Sequence, residues 1–356
     1  MIRILLLSRY DWSGPSSRYR FYQFLPYLEE EGFDVLVSPL FNKKYINSLY
    51  SDQSKMKFLD LISAYYSRIF KLLFDRNYDL IWLEKEMLPW ISASIEKLLS
   101  QTSVPYVIDY DDAVFHRYDL HQNFLVRALL SSKIRKIMSR ATTVIAGNQY
   151  IADYAERNGT RRIRILPTVV DTDFYVAKTP QKNDNFTIGW IGSPSTSRHI
   201  SIAAEALTNF CREKNVEFRA MGALQRDLDE IPGKMVPWNE ESEVEELYRF
   251  DVGIMPLSDT PWERGKCGFK LIQYMACGLP VVASPVGINK EIVEHGVNGF
   301  LASSTEEWVK YLGILKGDPE LCRTMGVAGR GIVEEKYSLE KVAPKLVSIL
   351  KEAAEA

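Results

Sequence analysis

A short apolar run, a glycine-bearing polar loop and a helical stretch occur in that order twice along these 356 residues, and the repetition leaves few folds open. Ile2–Ser8 is the first apolar run. Arg9–Arg20 is a loop containing Gly14 and Pro15, Tyr22–Glu31 has helical spacing that stops at Gly32, and Asp34–Ser38 reads as a second strand. Strand, loop, helix, strand is the grammar of a parallel sheet. Tyr45–Phe74 is helical in pattern, and Leu80–Leu83, Tyr106–Ile108, Thr143–Ala146 and Arg164–Leu166 read as further short strands. The interval 176–185 (VAKTPQKNDN) is polar without apolar periodicity and reads as a linker. The grammar then restarts. Phe186–Ile191 is a strand, Gly192–Arg198 a Ser/Pro-rich loop, Ile200–Phe210 a helix, and Val216–Ala220 and Val252–Pro256 are strands. Gly296–Gly299 reads as a turn and Leu339–Ala354 as a last helix. The expected fold class is α/β: two Rossmann-like doubly wound domains, 1–175 and 186–338, facing across a cleft. Ligands in such sheets bind at the carboxyl ends of the strands.

Composition narrows the function classes. Apolar residues make up 46% and charged residues 25%, which suits ordinary globular cores. A net charge of −2 gives no case for a nucleic-acid partner. Cys211, Cys267, Cys277 and Cys322 form no CxxC pair, so neither a zinc site nor a disulfide framework is suggested. The opening MIRILLLSRY is too short in apolar residues for a signal h-region, and no run of about 18 apolar residues predicts a membrane span.

The densest chemistry lies in WERGKCGFKLIQYMACGLPVVAS, from Trp262 to Ser284. Lys266 and Lys270 flank a Cys267-Gly268-Phe269 turn, an apolar helical run follows, and Gly278 and Pro280 break it before a buried strand. Cations feeding a helix start form an anion trap, because unpaired N–H groups and the helix dipole face the bound charge. The alternative is surface lysines before a core helix. The diphosphate of a sugar nucleotide is the expected anion, with Gln273 placed to hydrogen-bond ribose. The GSPSTSR loop offers Ser193, Ser195, Thr196 and Ser197 hydroxyls, and Arg198 suits bidentate phosphate contact. A Ser/Thr-rich helix cap accounts for the same residues without a ligand. In the first half GPSSRYR occupies the equivalent place, Gly14 and the two serines allowing close approach to a ligand and Arg18 and Arg20 adding charge, with a helix cap and surface arginines as the alternative.

Asp109-Tyr110-Asp111-Asp112 closes the strand ending at Ile108. Carboxylates there are costly unless solvated, paired or used, as a general base, an acceptor-orienting group or a metal ligand. Helix capping is the rival account. A helix over Asn123–Arg140 carries Arg127, Lys133, Arg135, Lys136 and Arg140 and no acid, which suits an anionic lipid surface or simply a solvated basic face. His116 lies nearest the acidic loop, and Trp238 and Trp262 could stack on a base or sugar, although packing roles are commoner for all three.

KCGFKLIQYMACGLPVVASPVGINKEIVEHGVNGFLA resembles the donor-binding signature of glycosyltransferase family 4, whose usual form is EGFGxxxxEAMACGxPVVAS, then a glycine-containing turn, EIV and NG. The likeness extends to RILLLS, LPTVVDTDFY and TIGWIGSPST, and so over nearly the whole chain. It implies the GT-B fold, a nucleoside-diphosphate sugar in the second domain, an acceptor in the first, and retention at the anomeric carbon. It also implies that no metal or other cofactor is needed, the protein's cations serving the leaving diphosphate. Carried over, donor binding falls to Gly14, Ser193, Arg198, Lys266, Cys267, Gly268, Phe269, Lys270, Gln273 and Glu291. Catalysis falls to Asp111, Asp112 and Lys270, and acceptor binding to Arg18 and Arg20. The family's two glutamates fall on Gly265 and Gln273, and many members carry a histidine where this chain offers Asp109–Asp112. The last helix often returns to the first domain in such folds. The expected function is sugar transfer to a glycan or lipid-linked acceptor in polysaccharide or cell-surface glycan synthesis, in the cytoplasm with peripheral contact at the inner membrane face. A sugar-nucleotide epimerase or phosphorylase on the same fold, or a non-catalytic carbohydrate-binding homologue, competes with it.

Overall fold

The computed structural model describes residues 1–45, 58–74, 77–96, 99, 104–177 and 185–356. Contacts divide the chain into two compact units. The first comprises Met1–Thr168, Gly265–Cys267 and Val342–Ala356, and the second Val169–Arg264 and Gly268–Lys341. Residues 178–184, most of the stretch read as a linker, lie outside the described residues, as do 46–57 of the stretch read as one helix from Tyr45.

In the first unit the strands are β1 (Ile2–Leu7), β2 (Phe33–Val37), β3 (Leu80–Glu84), β4 (Tyr106–Tyr110), β5 (Thr143–Ala146) and β6 (Ile163–Ile165). They form one parallel sheet in the order β2-β1-β3-β4-β5-β6. Ile4 to Leu7 and all of β3 and β4 are buried, as expected of strands covered on both faces. The helices are α1 (Pro15–Arg20), α2 (Leu25–Glu30), α3 (Phe58–Phe74), α4 (His116–Asp119), α5 (Phe124–Leu130), α6 (Lys133–Met138) and α7 (Gln149–Arg157). Leu61, Ala64, Tyr65 and Ile69 of α3 pack on the same core cluster as Ile134, Ile137 and Met138 of α6, so the two helices cover one face of the sheet.

The second unit repeats the plan with β7 (Phe186–Ile191), β8 (Val216–Met221), β9 (Lys234–Val236), β10 (Val252–Met255), β11 (Val281–Ala283) and β12 (Gly299–Leu301). Its sheet is parallel, in the order β12-β11-β10-β7-β8-β9. Its helices are α8 (Ala204–Cys211), α9 (Glu243–Leu247), α10 (Pro261–Arg264), α11 (Phe269–Ala276), α12 (Asn289–Ile292), α13 (Thr305–Gly317) and α14 (Pro319–Ile332). The last helix, α15 (Leu339–Ala354), has its residues from Val342 onward in the first unit, where Lys351 pairs with Glu31 and Glu352 with Arg164.

Strand order reverses direction between β1 and β3 in the first unit and between β7 and β10 in the second. At such switch points the loops leave in opposite directions and open a crevice at the carboxyl ends. The loops after β1, β3, β7 and β10 are therefore where chemistry is expected.

Candidate functional site

In the second unit, β7 ends on Trp190-Ile191, and the 193–198 loop follows at the switch point. Ser193 Oγ lies 2.9 Å from Ser195 Oγ, and Thr196 Oγ1 donates back to the Ser193 carbonyl at 3.0 Å. Lys270, in the first turn of α11, reaches this loop. Its Nζ lies 4.4 Å from the centre of the Trp190 ring and 3.4 Å from Thr196 Oγ1. Gly268, at φ +68°, caps α11, which Phe269 begins. One cation, a hydroxyl-lined loop and the amino end of α11 thus meet at the carboxyl edge of β7, an arrangement that favours a polyanion. Arg198 is exposed and lies 3.4 Å from Glu263, a buried acid that also faces His199 at 3.3 Å. Gln273, on α11, is nearly buried against Glu243 and Tyr175. Glu291 is exposed on α12.

In the first unit, each of the three acids at the carboxyl end of β4 faces its own cation. Asp109 takes Arg20 Nε at 2.6 Å, Asp111 takes Lys85 Nζ at 2.8 Å, and Asp112 lies 3.6 Å from Lys266 Nζ. Burial pushes the Asp109 carboxyl up to about 6, despite the Arg20 guanidinium. Burial also works to raise Asp111, yet the Lys85 charge and hydrogen bond hold it below its ordinary value. Lys85 adopts φ +61°, a conformation L side chains rarely take, and donates to Ser16 Oγ at 2.8 Å. The Ser16 hydroxyl has its one proton within reach of two acceptors, Asp111 at 2.9 Å and Glu84 at 3.1 Å, while Ser17 donates to Glu84 at 2.6 Å. The α1 serines, the β3 end and the β4 end are therefore one buried hydrogen-bonded network. Strain held in place by such a network is a mark of functional sites.

Gly265, Lys266 and Cys267 cluster with this first unit rather than with the α11 lysine. Asn148 Nδ2 donates to the Gly265 carbonyl at 3.0 Å and to the Lys266 carbonyl at 3.1 Å. A cavity of about 800 Å³ in the second unit, lined by Phe250, Leu279, Pro280, Val327 and Arg330 among others, includes none of these residues.

The family model for glycosyl transferases group 1 matches residues 185–316. This stretch is a glycosyl transferases group 1 domain. Among curated relatives, an N-acetyl-alpha-D-glucosaminyl L-malate synthase of Bacillus anthracis is 33% identical over 90 residues, 24% of this chain and 23% of that protein. A sucrose synthase of Beta vulgaris is 27% identical over 109 residues, 29% of this chain and 14% of that protein. The match thus spans about a quarter or less of these relatives' length. Among solved structures, sucrose-phosphate synthase of Thermosynechococcus elongatus superposes with TM-score 0.74 at 16% identity, covering 99% of both chains. Anabaena HepE, in complex with UDP-glucose, gives 0.73 at 18% identity over 99% of this chain and 100% of that one. WaaG, a glycosyltransferase involved in lipopolysaccharide biosynthesis, gives 0.72 at 14% identity over 98% and 99%. These likenesses establish the GT-B fold.

The group 1 domain brings together Ser193 and Lys270, and sets Arg198 against Glu263. Lys266 and Cys267 fall with the first unit, beside Asp112. Arg18 and Arg20 are 4% and 2% exposed. Arg20 is occupied by Asp109 and the Leu166 carbonyl, which it meets at 2.6 Å. His116 faces Asp119 and Tyr150, at 2.8 and 2.9 Å. Sequence reasoning passed over Lys85, Glu84, Trp190 and Glu243. The Glu84-Lys85-Glu86 run that ends β3 carries the same signal as Asp109–Asp112, ionisable groups at a buried strand's carboxyl end. Nothing local marks Trp190, whose cation is distant in sequence, and Glu243 meets Tyr175 and Gln273 from distant segments besides its near neighbour Trp238.

Proposed function

We propose that the protein is a retaining, metal-independent glycosyltransferase. It would move a sugar from a nucleoside-diphosphate sugar to a glycan or lipid-linked acceptor during polysaccharide or cell-surface glycan synthesis. The observation that carries this reading is Lys270 fixed between Trp190 and Thr196 inside a group 1 domain. The ammonium neutralises the departing diphosphate, with the Ser193 loop, Arg198, Lys266 and the backbone N–H groups of 267–269 supplying further donors. Gln273 and Glu291 complete the donor contacts, with Gly14 assigned to the donor as well. Cations aimed at the leaving group supply the electrostatic stabilisation that drives such a transfer. The acceptor hydroxyl is oriented by Asp111 and Asp112, and Arg18 and Arg20 shape the loop around it.

The donor is bound as an ordinary co-substrate, and HepE structures hold UDP or UDP-glucose, which favours a UDP-type donor as the first to test. A thermal-shift panel of UDP-, GDP- and ADP-sugars reads the donor directly, since ligands of the native state raise its apparent stability. A donor that raises Tm in the wild type and not in Lys270→Ala is expected. No stabilisation by any of them overturns the reading. Turnover of donor without acceptor would instead indicate an epimerase, and retention is read from the anomeric configuration of the product.

The same reading includes peripheral contact with the inner face of a membrane. Among the described residues no helix is long and apolar enough to cross one. Leu59, Ile62, Tyr66, Phe70 and Phe74 run exposed along α3, and Phe124, Leu125 and Leu129 stand exposed on α5. Arg127, Arg135, Lys136 and Arg140 are exposed as well. Apolar side chains interleaved with cations suit an anionic bilayer surface.

A further inference from the structure

Gln273 stands where the family signature has a glutamate, and the structure gives the replacement a cause. Its Nε2 donates to Glu243 Oε1 at 2.7 Å and to the Tyr175 hydroxyl at 2.9 Å. Glu243 is itself 3% exposed and also accepts from the Tyr175 hydroxyl and from Trp238 Nε1. A carboxylate surrounded by donors only accepts, so the amide edge of Gln273 turned toward it must be the N–H edge. The flip ambiguity that usually attends a glutamine is thereby removed. Gln273 Oε1 is left on the opposite edge. It accepts no hydrogen bond from the described residues and is not among the fully buried unpaired polar atoms, so the 4% exposure of Gln273 includes it. A glutamate at 273 would instead press a second carboxylate against Glu243 at hydrogen-bond distance, with like charges in a poorly solvated place.

We propose that Glu243 is a positioning residue that locks the Gln273 amide with Oε1 outward, as the acceptor for a ribose hydroxyl of the nucleoside diphosphate. The amide then presents the same acceptor oxygen that a glutamate would, and Glu243 keeps it from turning. This rests on Gln273 being a ribose contact, part of the reading above.

The test is ribose discrimination, measured by calorimetric titration of the full chain. UDP, GDP and ADP are titrated first, then the 2′-deoxy and 3′-deoxy forms of the one that binds. The wild type is expected to prefer the ribonucleotide over at least one deoxy form by roughly tenfold, the scale of one hydrogen bond. Gln273→Ala and Glu243→Gln should each bring that preference within about twofold. Loss in Gln273→Ala with full preference kept in Glu243→Gln overturns the positioning role alone. Preference kept in Gln273→Ala overturns the ribose contact itself. The exchange variant Glu243→Gln/Gln273→Glu restores one carboxylate facing one amide, so it should fold and recover the preference even if Glu243→Gln does not fold. A folded exchange variant without ribose preference defeats the proposal.

Discussion

The Lys270 ammonium stands 4.4 Å from the centre of the fully buried Trp190 indole. A buried ring cannot swing away, so it fixes where the charge sits. Lys270→Ala should weaken binding of the donor diphosphate ten- to hundredfold, because hydrogen bonds to charged groups contribute about 1.5–3 kcal/mol. Trp190→Phe keeps a ring face and should bind nearly normally, whereas Trp190→Leu should lose several-fold, in line with about 0.5–2 kcal/mol for a cation over a ring. Calorimetric titration reads both. Unchanged affinity in a folded Lys270→Ala defeats the diphosphate assignment.

Gly265 occupies a position where the family signature has glutamate, and the first unit leaves no room for one. A Cβ there would lie 2.3 Å from Ala113 Cβ and 3.0 Å from the Ala113 backbone nitrogen. Asn148 also holds the Gly265 carbonyl, so moving the segment away would cost that hydrogen bond. Gly265→Ala should lower stability by about 1–3 kcal/mol, the usual cost of overpacking. Gly265→Glu should cost at least as much and should not raise activity. Thermal denaturation measures the first and a transfer assay the second. A stable, more active Gly265→Glu would mean that the glycine is only a lost side chain.

The two sheets were legible because parallel strands covered on both faces read as unbroken apolar runs, as Ile4 to Leu7 and Val281 to Ala283 do. The edge strands of the second sheet were not. Lys234–Val236 is short and mostly exposed, and Gly299–Leu301 hides in what reads as a glycine turn. The stretch Arg9–Arg20, read as loop, contains α1, which Pro15 begins. The single basic helix expected over Asn123–Arg140 is two helices parted at Ser131-Ser132, since its apolar spacing continues across the serines. Lys133, grouped there with surface cations, is buried and meets Glu86 at 2.7 Å, Glu96 at 3.4 Å and the Leu88 carbonyl at 2.5 Å. Within the candidate site, Lys270 and Ser193 were readable from local pattern. Glu243 and Lys85 were not, because only the fold brings Gln273 and Asp111 to them.

Asp109 gives the stability of the chain a definite dependence on pH. Its carboxyl titrates near 6 in the folded state because burial disfavours the charge, against an ordinary value of 3.8 when unfolded. Between these values the folded state holds the proton more tightly than the unfolded one. Stability contributed at this site therefore falls as pH rises from about 4 to 6, by up to about 1.4 kcal/mol per pH unit. Asp109→Asn stays neutral throughout. The stability difference, wild type minus Asp109→Asn, should decline across that window and level off above it. A flat difference in denaturant titrations at pH 4, 5, 6 and 7 contradicts the raised carboxyl.

The exposed face of the first unit gives the last prediction. The Phe70 and Phe74 rings lie tilted, their centres 4.4 Å apart, on the outside of α3, and Arg135 and Lys136 are exposed on α6, which shares the core face with α3. Each basic residue close to an anionic bilayer contributes about 1 kcal/mol, so two charge reversals should weaken attachment by a hundredfold or more. Arg135→Glu/Lys136→Glu should abolish co-sedimentation with phosphatidylglycerol vesicles at low salt. Phe70→Ser/Phe74→Ser should reduce it at every salt concentration, because buried apolar area is not screened as charge is. Both variants alter exposed side chains and should keep Tm within a few degrees. Phosphatidylcholine vesicles should retain little of the wild type. Equal binding to both vesicle types leaves the cations without a role, and no binding to either removes the membrane contact from the proposed function. If Phe70→Ser/Phe74→Ser instead changes sedimentation of the protein alone, the stripe joins two copies of the chain rather than a lipid surface.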